Sequence, residues 1–499
     1  MNIKPKLIAW LSKPILSSVP ISSNATDTVL IDFSSPNIAK PFHLGHFRAT
    51  VTGNFIRNIN EAVGHNVISV NYLGDWGTQF DLLSYGWRKY GVEEKLATDP
   101  ICHLNEVYVR INAEVGKSGP PADAALNLMR EQSGTVDSKL WSHIRALTID
   151  HLKKTYARMN VQFTAYEYES DSVGSAYPLV QRLLDLGIAF RDCDGAVCIP
   201  GGTYDGESRR IVLLKSNGDT LYLTRDLATA ISRYERYQFD RMHYVVGLPY
   251  RLHIPFARVQ GMSTRHGKGL FLSDILDTAR DSVLRRMQNS QTTRAFSHSG
   301  QCDETVADHL GVTALTIEML RNNRQKPISL TSFLGHPLVD DSAAPSQDCI
   351  GLSGLSLQYC HARLCSLQQK ATNVGLVSPV VQDDPVSWNH MNEDLILRLD
   401  AAVQHPPSSS SDPSFAALFD HLSSLPASVQ YAYTHYEASA IVQFATRLTS
   451  CVNSAWRHLG VLNCTDTAEQ LIRLSIFMIS RDALSACLRL LGIHPLCAI

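Results

Sequence analysis

Residues 28–46 read TVLIDFSSPNIAKPFHLGH, and this stretch decides the fold. Its first six residues are mostly apolar and rich in β-branched side chains, which predicts a short buried strand of a parallel sheet. A Ser-Ser-Pro-Asn turn follows, and residues 47–63 then carry apolar side chains at helical spacing. Residues 65–77, HNVISVNYLGDWG, predict a second strand that ends in a Gly-Asp loop. Strand, loop, helix and strand form a βαβ unit, so we predict an α/β fold with a doubly wound, Rossmann-like parallel sheet.

The rest of the chain divides into an insertion and a helical half. Residues 81–190 are mostly amphipathic helix, and strand candidates with a hairpin turn, a helix and a further strand follow up to residue 246. From about residue 305 to the end the pattern is almost entirely helical, which predicts an α-helical bundle. We therefore predict an N-terminal extension of residues 1–27, an α/β domain of residues 28–304 and an all-α domain of residues 305–499.

The composition limits the classes of function. Of 499 residues 44% are hydrophobic and 18% charged, an ordinary globular profile, and no apolar run is long enough to span a membrane. The net charge of −2 gives no global basic field, so any nucleic acid must be held by local patches. Eleven cysteines without a C-x-x-C pair predict reduced thiols. The first 26 residues contain lysines but no acid, as organelle transit peptides do; a ragged terminus or a trimmed gene model is the alternative.

The two histidines of the opening stretch suggest a nucleotide site. His43 and His46 are three residues apart and so share one face of the first helical turn. In a doubly wound fold, ligands bind at the carboxyl ends of the strands and anions at helix N-termini. Gly45 would let a flat ring lie against the backbone. The alternatives are a surface helix that happens to begin with two histidines, and a zinc site, for which no third ligand stands at a suitable spacing.

Five segments, taken in order, resemble class I aminoacyl-tRNA synthetases, and in detail the arginyl-tRNA synthetases, closest to the mitochondrial form. They are DFSSPNIAKPFHLGH (32–46), NYLGDWGTQF (71–80), LYLTRDLATAI (221–231), VQGMSTRHG (259–267) and LSLQYCHARL (355–364). The resemblance implies that the α/β domain is catalytic and that the all-α domain is an anticodon-binding bundle of the DALR type. It also implies an arginine–tRNA ligase, which activates L-arginine with ATP and Mg²⁺ and transfers it to tRNA(Arg).

The resemblance assigns roles to individual residues. His43 and His46 would bind ATP and stabilise the transition state, and Gly45 belongs to their motif. Lys40 and Arg265 would supply the positive charge that a lysine of the second signature loop supplies in other class I enzymes. The further ATP contacts would be Met262 and Ser263. The arginine pocket would consist of Asp32, Ser34, Ser35, Asn37, Tyr222 and Asp226.

Tyr222 and Asp226 are candidates for an arginine pocket even without the resemblance. Tyr222 and Asp226 are four apart at the start of a predicted helix and so face the same way. A carboxylate beside an aromatic ring suits the planar, forked guanidinium of an arginine. The alternative for Asp226 is an ordinary first-turn acid that the helix dipole favours.

The remaining expectations concern partners and compartment. Tyr359 and Arg363 are four apart on a predicted helix and are candidates for stacking on an unpaired anticodon base; packing within the bundle is the alternative. We expect a monomer without a membrane partner and without a dedicated metal site in the protein. The expected location is the mitochondrial matrix, with the cytoplasm as the alternative.

One segment departs from the family pattern. After the strand that ends near residue 247, family members run through a glutamine-containing loop and a further helix before the second signature. Here the residues between Gly247 and Gly261 are too few for that helix and its connections. The sequence therefore leaves a second reading open, in which the chain is a non-catalytic tRNA-binding relative or a splice form.

Overall fold

The computed structural model describes residues 3–13, 15–18, 26–38, 42–76, 78–117, 138–204, 207–247, 254–256, 259–260, 271–289, 302–329, 353–378, 385–402 and 412–499. The strands are β1 (Thr28–Asp32), β2 (Asn66–Leu73), β3 (Ala165–Tyr168), β4 (Phe190–Arg191), β5 (Val197–Tyr204), β6 (Glu207–Leu214), β7 (Arg241–Gly247), β8 (Ile254–Phe256), β9 (Val259–Gln260) and β10 (Ile328–Ser329).

The helices of the first half are α1 (Ile3–Leu11), α2 (Leu44–Ala62), α3 (Thr78–Tyr90), α4 (Glu93–Thr98), α5 (Pro100–Lys117), α6 (Ser138–Arg158), α7 (Val173–Asp185), α8 (Tyr222–Tyr237) and α9 (Leu272–Asn289). Those of the second half are α10 (Cys302–Leu320), α11 (Ser353–Asn373), α12 (Pro385–Ala402), α13 (Pro413–Ser423), α14 (Leu425–His435), α15 (Ala438–His458) and α16 (Thr467–Leu490). Short 3₁₀ helices lie at Ile15–Ser18 and Glu169–Ser172.

A five-stranded parallel sheet in the order β3-β2-β1-β7-β8 confirms the predicted doubly wound fold. Strand β1 lies at its centre and is almost entirely buried, because elements cover both of its faces. The chain first builds outward from β1 through β2 to β3 and later returns to place β7 on the other side of β1. The gap between β1 and β7 is therefore the switch point, where ligands bind in this class of sheet.

The insertion contains one strand that the helical pattern does not predict. Helices α3 to α6 follow β2, as expected, but residues 165–168 then return to the main sheet as its edge strand β3. Four residues are too short a run for a recognisable strand period. The predicted hairpin strands form a separate antiparallel sheet of β4, β5 and β6, and α8 leads from it back to β7.

The connection between β7 and β8 is unusually short. The two strands pair in parallel, with Val245 opposite Ile254, although only residues 248–253 join them. Parallel neighbours normally need a crossover of a dozen or more residues, usually with a helix. Between β7 and α9 the described residues form only the short strands β8 and β9, in agreement with the shortened segment seen in the sequence.

The helical half is continuous with the sheet domain. One apolar core runs from Leu7 of α1 through Phe47 of α2 to Leu484 of α16. Helix α1 packs against α12 and α16, so part of the predicted N-terminal extension belongs to the folded bundle. Among the described residues, no helix is long and apolar enough to cross a lipid bilayer.

Candidate functional site at the carboxyl ends of the central strands

The loops that follow β1 and β2 are joined at the switch point. The N–H of Ile38 donates to the carbonyl of Gly74 at 2.9 Å, and the N–H of Gly74 donates to the carbonyl of Pro36 at 3.1 Å. A Cβ on Gly74 would lie 2.1 Å from Oδ1 of Asn37, so only glycine permits this approach. The contact fixes Asn37 at the end of the central strand.

The turn after β1 is built from two serines in the left-handed region, with φ of 71° at Ser34 and 44° at Ser35. The hydroxyl of Ser34 is buried, 2.7 Å from that of Thr50 and 2.8 Å from that of Tyr156. The hydroxyl of Ser34 thus holds the turn in this geometry, and its expected contact in the arginine pocket stays a prediction. We see no signal in the sequence that would have identified Tyr156.

His43 and His46 form a stacked pair at the start of α2. His43 is the N-cap, and its Nδ1 accepts from the N–H of Gly45 at 3.0 Å, while Nδ1 of His46 accepts from the N–H of His43 at 3.4 Å. The ring centroids lie 3.9 Å apart at 18°. An accepting Nδ1 leaves the proton of a neutral imidazole on Nε2. Each ring, when neutral, therefore carries its N–H on Nε2, and both rings lie at a helix N-terminus, where the helix dipole favours an anion.

Gly45 makes room for the ring of His43. A Cβ on Gly45 would lie 2.9 Å from Cε1 and 3.0 Å from Nδ1 of His43. The imidazole of His43 therefore lies close to the backbone at Gly45, and the expected space for a flat ligand there stays a prediction. Gly45 lets His43 fold back over the helix start and cap it.

Asp32, at the end of β1, is held in an ion-pair network. Its Oδ2 accepts from Nη1 of Arg233 at 2.8 Å, and its Oδ1 accepts from the hydroxyl of Ser35 at 2.7 Å. Nε of Arg233 donates to Glu167 at 2.7 Å. Burial lowers the pKa of Arg233, but the two carboxylates outweigh burial and raise the pKa above its usual value. Arg233 is two helical turns beyond Asp226, so the spacing on α8 was a signal that sequence reasoning missed.

Asp226 belongs to a cluster of acids beside this network. Part of the residue is exposed, yet burial of the carboxyl by the surrounding protein and the carboxylates of Asp32 and Glu169 raise its pKa to about 6. Arg225 and Arg233 offset only part of this effect. Arg225 is itself bound to Glu169 at 2.9 Å. A positive group placed beside Asp226 would relieve the repulsion, so the cluster suits a cationic ligand.

Several candidates lie outside the described residues. They are Lys40, Met262, Ser263 and Arg265, together with the side chain of Tyr222, whose backbone begins α8. Residues 271 and 272, which follow the second signature loop, nevertheless pair with the chain beside the histidines. The N–H of Leu272 donates to the carbonyl of Phe42 at 2.7 Å, and Phe271 pairs with His43.

Tyr359 and Arg363 lie on the outer face of α11. Both side chains are exposed. Nη1 of Arg363 donates to Oδ1 of Asn453 at 2.8 Å, and its guanidinium carbon lies 5.7 Å from the ring centroid of Trp456. The arginine is thus bound to the neighbouring helix α15, whereas the tyrosine ring is open to solvent on one side.

Two families match the chain. The class I tRNA synthetases (R), catalytic domain, match residues 13–257, and the DALR anticodon binding domain matches residues 357–499. The chain is 33% identical over 499 residues to the cytoplasmic arginine–tRNA ligase of Saccharomyces cerevisiae, covering 94% of the chain and 76% of that relative. It is 32% identical over 500 residues to the mitochondrial arginine–tRNA ligase of the same yeast, covering 94% of the chain and 71% of the relative.

A further relative and two solved structures are also arginine–tRNA ligases by name. The chain is 31% identical over 514 residues to the probable mitochondrial arginine–tRNA ligase of Homo sapiens, covering 97% of the chain and 81% of that relative. The arginyl-tRNA synthetase structure of Thermus thermophilus superposes with a TM-score of 0.72 at 18% identity, over 99% of the chain and 86% of that structure. The structure from Plasmodium falciparum gives a TM-score of 0.68 at 19% identity, over 99% and 83%. At these identities the structures support the fold alone.

Proposed function

The chain belongs to the class I arginyl-tRNA synthetases, and we propose that the cluster at the ends of β1 and β2 is its arginine and ATP site. The chain is an arginine–tRNA ligase. The assignment of the site rests mainly on the acid cluster around Asp226. This cluster, like the stacked histidines, lies at the carboxyl ends of the central strands. The catalytic boundaries that we propose remain residues 28–304, with the anticodon-binding domain at residues 305–499.

The acidic groups around Asp226 support the proposed arginine-binding part of the site. Asp226 would accept the guanidinium of the substrate, with Tyr222 beside it on α8, because a cation there relieves the repulsion from Asp32 and Glu169. Asn37, fixed against Gly74, would hold the α-amino and carboxylate end. Asp32 and Ser35 would act through the turn and through Arg233.

The N-terminus of α2 supports the proposed ATP-binding part of the site. The Nε2–H groups of His43 and His46 would donate to phosphate oxygens at the N-terminus of α2. Lys40 and Arg265, with Met262 and Ser263, are the further residues that the family resemblance assigns to this side. Mg²⁺ would neutralise charge on the phosphates; it prefers oxygen ligands, so imidazoles do not suit it and we assign it no residue of this chain.

The reaction then needs no nucleophile from the protein. A carboxylate oxygen of arginine attacks the α-phosphorus of ATP, forming arginyl-adenylate while pyrophosphate leaves. A ribose hydroxyl at the 3′ end of tRNA(Arg) attacks the acyl carbon, and AMP leaves. Both steps place charge on phosphate oxygens, so positioning and fixed donors such as the histidine pair provide the catalysis.

The tRNA would extend to the helical half. We propose that Tyr359 offers its exposed ring to an unpaired anticodon base and that Arg363 stiffens the same face through Asn453.

We further propose a monomer in the mitochondrial matrix. Relatives of both compartments match at similar identity, so the cytoplasm is the second candidate.

Pyrophosphate exchange tests the function despite the shortened 247–261 segment. We expect exchange of labelled pyrophosphate into ATP that needs both arginine and tRNA. His46→Ala should lower the kcat of exchange on the order of 100-fold, as expected for one lost catalytic donor. His143→Ala, an exposed histidine of α6, is the matched control and should leave the rate unchanged.

Each other outcome has a definite meaning. A rise in the KM for arginine alone in His46→Ala would contradict its ATP role. Binding of tRNA without exchange in the unchanged protein would favour the non-catalytic reading. Exchange with full activity but without tRNA would contradict the expected dependence on tRNA.

A further inference from the structure

A second cluster of reactive side chains lies in the helical half, away from the strand ends. His361 and Cys365 are four residues apart on α11, so they lie on the same face of the helix. Cys497 approaches from the C-terminal segment, and one ligand atom from each of the three residues lies within 4.8 Å of the other two. His361 and Cys365 are buried and Cys497 is partly exposed. All three side chains are of the kind that binds borderline-soft metal ions, and neither cysteine is in a disulfide.

The hydrogen bond of His361 selects the tautomer that coordination through Nε2 needs. Nδ1 of His361 lies 2.9 Å from the carbonyl oxygen of Leu496. A carbonyl can only accept, so Nδ1 carries the proton and the neutral ring keeps its lone pair on Nε2. Sγ of Cys365 lies 3.7 Å from Nδ1 and 4.0 Å from Nε2, so the thiol stands beside the ring and side-chain rotation is needed to bring it and Nε2 to one ion. Histidines that bind metals typically donate their other ring N–H to a carbonyl or carboxylate in this way.

The C-terminal segment is held in place independently of any ion. Nε2 of Gln358 donates to the carbonyl of His494 at 2.8 Å, and Oε1 of Gln358 accepts from the N–H of Leu496 at 2.9 Å. Gln358 is fully buried on α11, one turn before His361. These two bonds bring Cys497 to the cluster, so the fold supplies the third ligand without help from a metal.

The spacing and the surroundings fit zinc. Zinc–sulfur bonds of about 2.3 Å and zinc–nitrogen bonds of about 2.0 Å place tetrahedral ligands roughly 3.5–3.8 Å apart, so small side-chain rotations would close the observed distances. His361 and Cys497 also line an open cavity of about 630 Å³, which gives a water access to a fourth position. The nearby guanidinium of Arg481 is already paired with Asp482 at 2.6 Å, so it does not leave an uncompensated positive charge beside the ion.

Although the sequence predicts no dedicated metal site, we propose that His361, Cys365 and Cys497 bind one Zn²⁺ ion, which fastens the C-terminal segment to α11. Two Zn–S bonds and one bond to Nε2 form, the two thiol protons pass to solvent, and a water completes the tetrahedron. The two thiolates balance the charge of the ion, as buried metal sites require. The site is separate from the strand ends, so it does not depend on the assignment of the catalytic residues.

Metal titration of the full-length protein tests this proposal. Protein stripped with chelator and kept reduced should bind one equivalent of Zn²⁺, and Co²⁺ in its place should show a thiolate-to-cobalt band and the strong visible bands of a tetrahedral site. Cys497→Ser should weaken Zn²⁺ binding at least tenfold and reduce the thiolate band. Cys497 is partly exposed near the chain end, so this variant should fold. Cys451→Ser, a partly buried thiol of α15, is the matched control and should bind as before.

Two results would overturn the proposal. The first is no stoichiometric Zn²⁺ binding by the reduced protein, and the second is equal binding by Cys497→Ser. In the first case, a disulfide between Cys365 and Cys497 before reduction would identify the two cysteines as a redox pair rather than metal ligands. Circular dichroism of each variant separates loss of the ligand from loss of the fold.

Discussion

At the scale of single residues, Asp226 combines a cost in stability with a proposed role in binding. Its pKa of about 6 lies above the ordinary value, so at pH 7.5 the folded protein holds an ionised carboxylate that its surroundings disfavour. Asp226→Asn should therefore raise the Tm at pH 7.5 while it lowers kcat/KM for arginine by about 10- to 100-fold, the value of a lost charge-assisted hydrogen bond. Thermal unfolding and exchange kinetics on the same preparation measure both effects.

The pH dependence of this site has a definite sign. A raised folded pKa means that the stability cost is present above pH 6 and is relieved as the pH falls toward 4. The KM for arginine of the unchanged protein should rise as the pH falls through about 6, because the protonated carboxyl no longer attracts a guanidinium. Asp219→Asn, in an exposed turn just before α8, should keep the original profile. A flat KM between pH 5.5 and 7.5 would exclude Asp226 as the partner of the guanidinium.

Gly74 offers a second test at the scale of a residue. Gly74→Ala places a methyl group where Oδ1 of Asn37 lies, so the loops after β1 and β2 must separate. We expect a loss of exchange activity of about 10-fold or more, with the fold retained by circular dichroism. Gly174→Ala, in the first turn of α7 with open space around it, is the matched control. It should be neutral or stabilising by about 0.5–1 kcal/mol.

At the scale of elements, α1 changes the meaning of the N-terminal segment. Leu7 is fully buried between α12 and α16, Lys4 pairs with Asp400 at 2.9 Å, and Nζ of Lys6 donates to Ser423 at 2.8 Å. A removable targeting segment would not be expected to contribute to the core. Leu7→Ala should lower the free energy of unfolding by about 2–5 kcal/mol, the usual range for a buried leucine.

The control for this prediction lies on a helix that α1 contacts. Leu397 of α12 is 70% exposed, so Leu397→Ala should change the free energy of unfolding by less than about 0.5 kcal/mol. Denaturant unfolding of both variants decides the matter. If the Leu7 variant is as stable as the control, α1 is dispensable and the targeting reading gains support.

At the scale of the whole molecule, the two halves share one core and a set of polar contacts. Arg158 of α6 binds Asp308 of α10 at 2.6 Å, and His65, just before β2, lies 2.7 Å from the hydroxyl of Tyr433. Domains with so continuous an apolar interface are expected to unfold together. Differential scanning calorimetry should show one cooperative transition. Two separated transitions would contradict this and would indicate independent domains.

The sequence by itself determined the class of fold and the family, because both depend on local patterns. The βαβ unit follows from strand and helix periods within residues 28–77, and the histidine motif and the helical second half lie in contiguous segments. The shortened segment before residue 261 could also be counted directly. Each of these features needs only neighbouring residues in the chain.

Only the tertiary structure decided which side chains meet. Arg233 pairs with Asp32, which lies 201 positions away in the chain, and the hydroxyl of Tyr156 is hydrogen-bonded to that of Ser34. Cys497, near the end of the chain, lies beside His361 and Cys365 of α11. The short strand β3 returns to the sheet without a readable period. Contacts between distant parts of the chain depend on how the elements pack, and packing is set by the shape of the whole core rather than by local spacing.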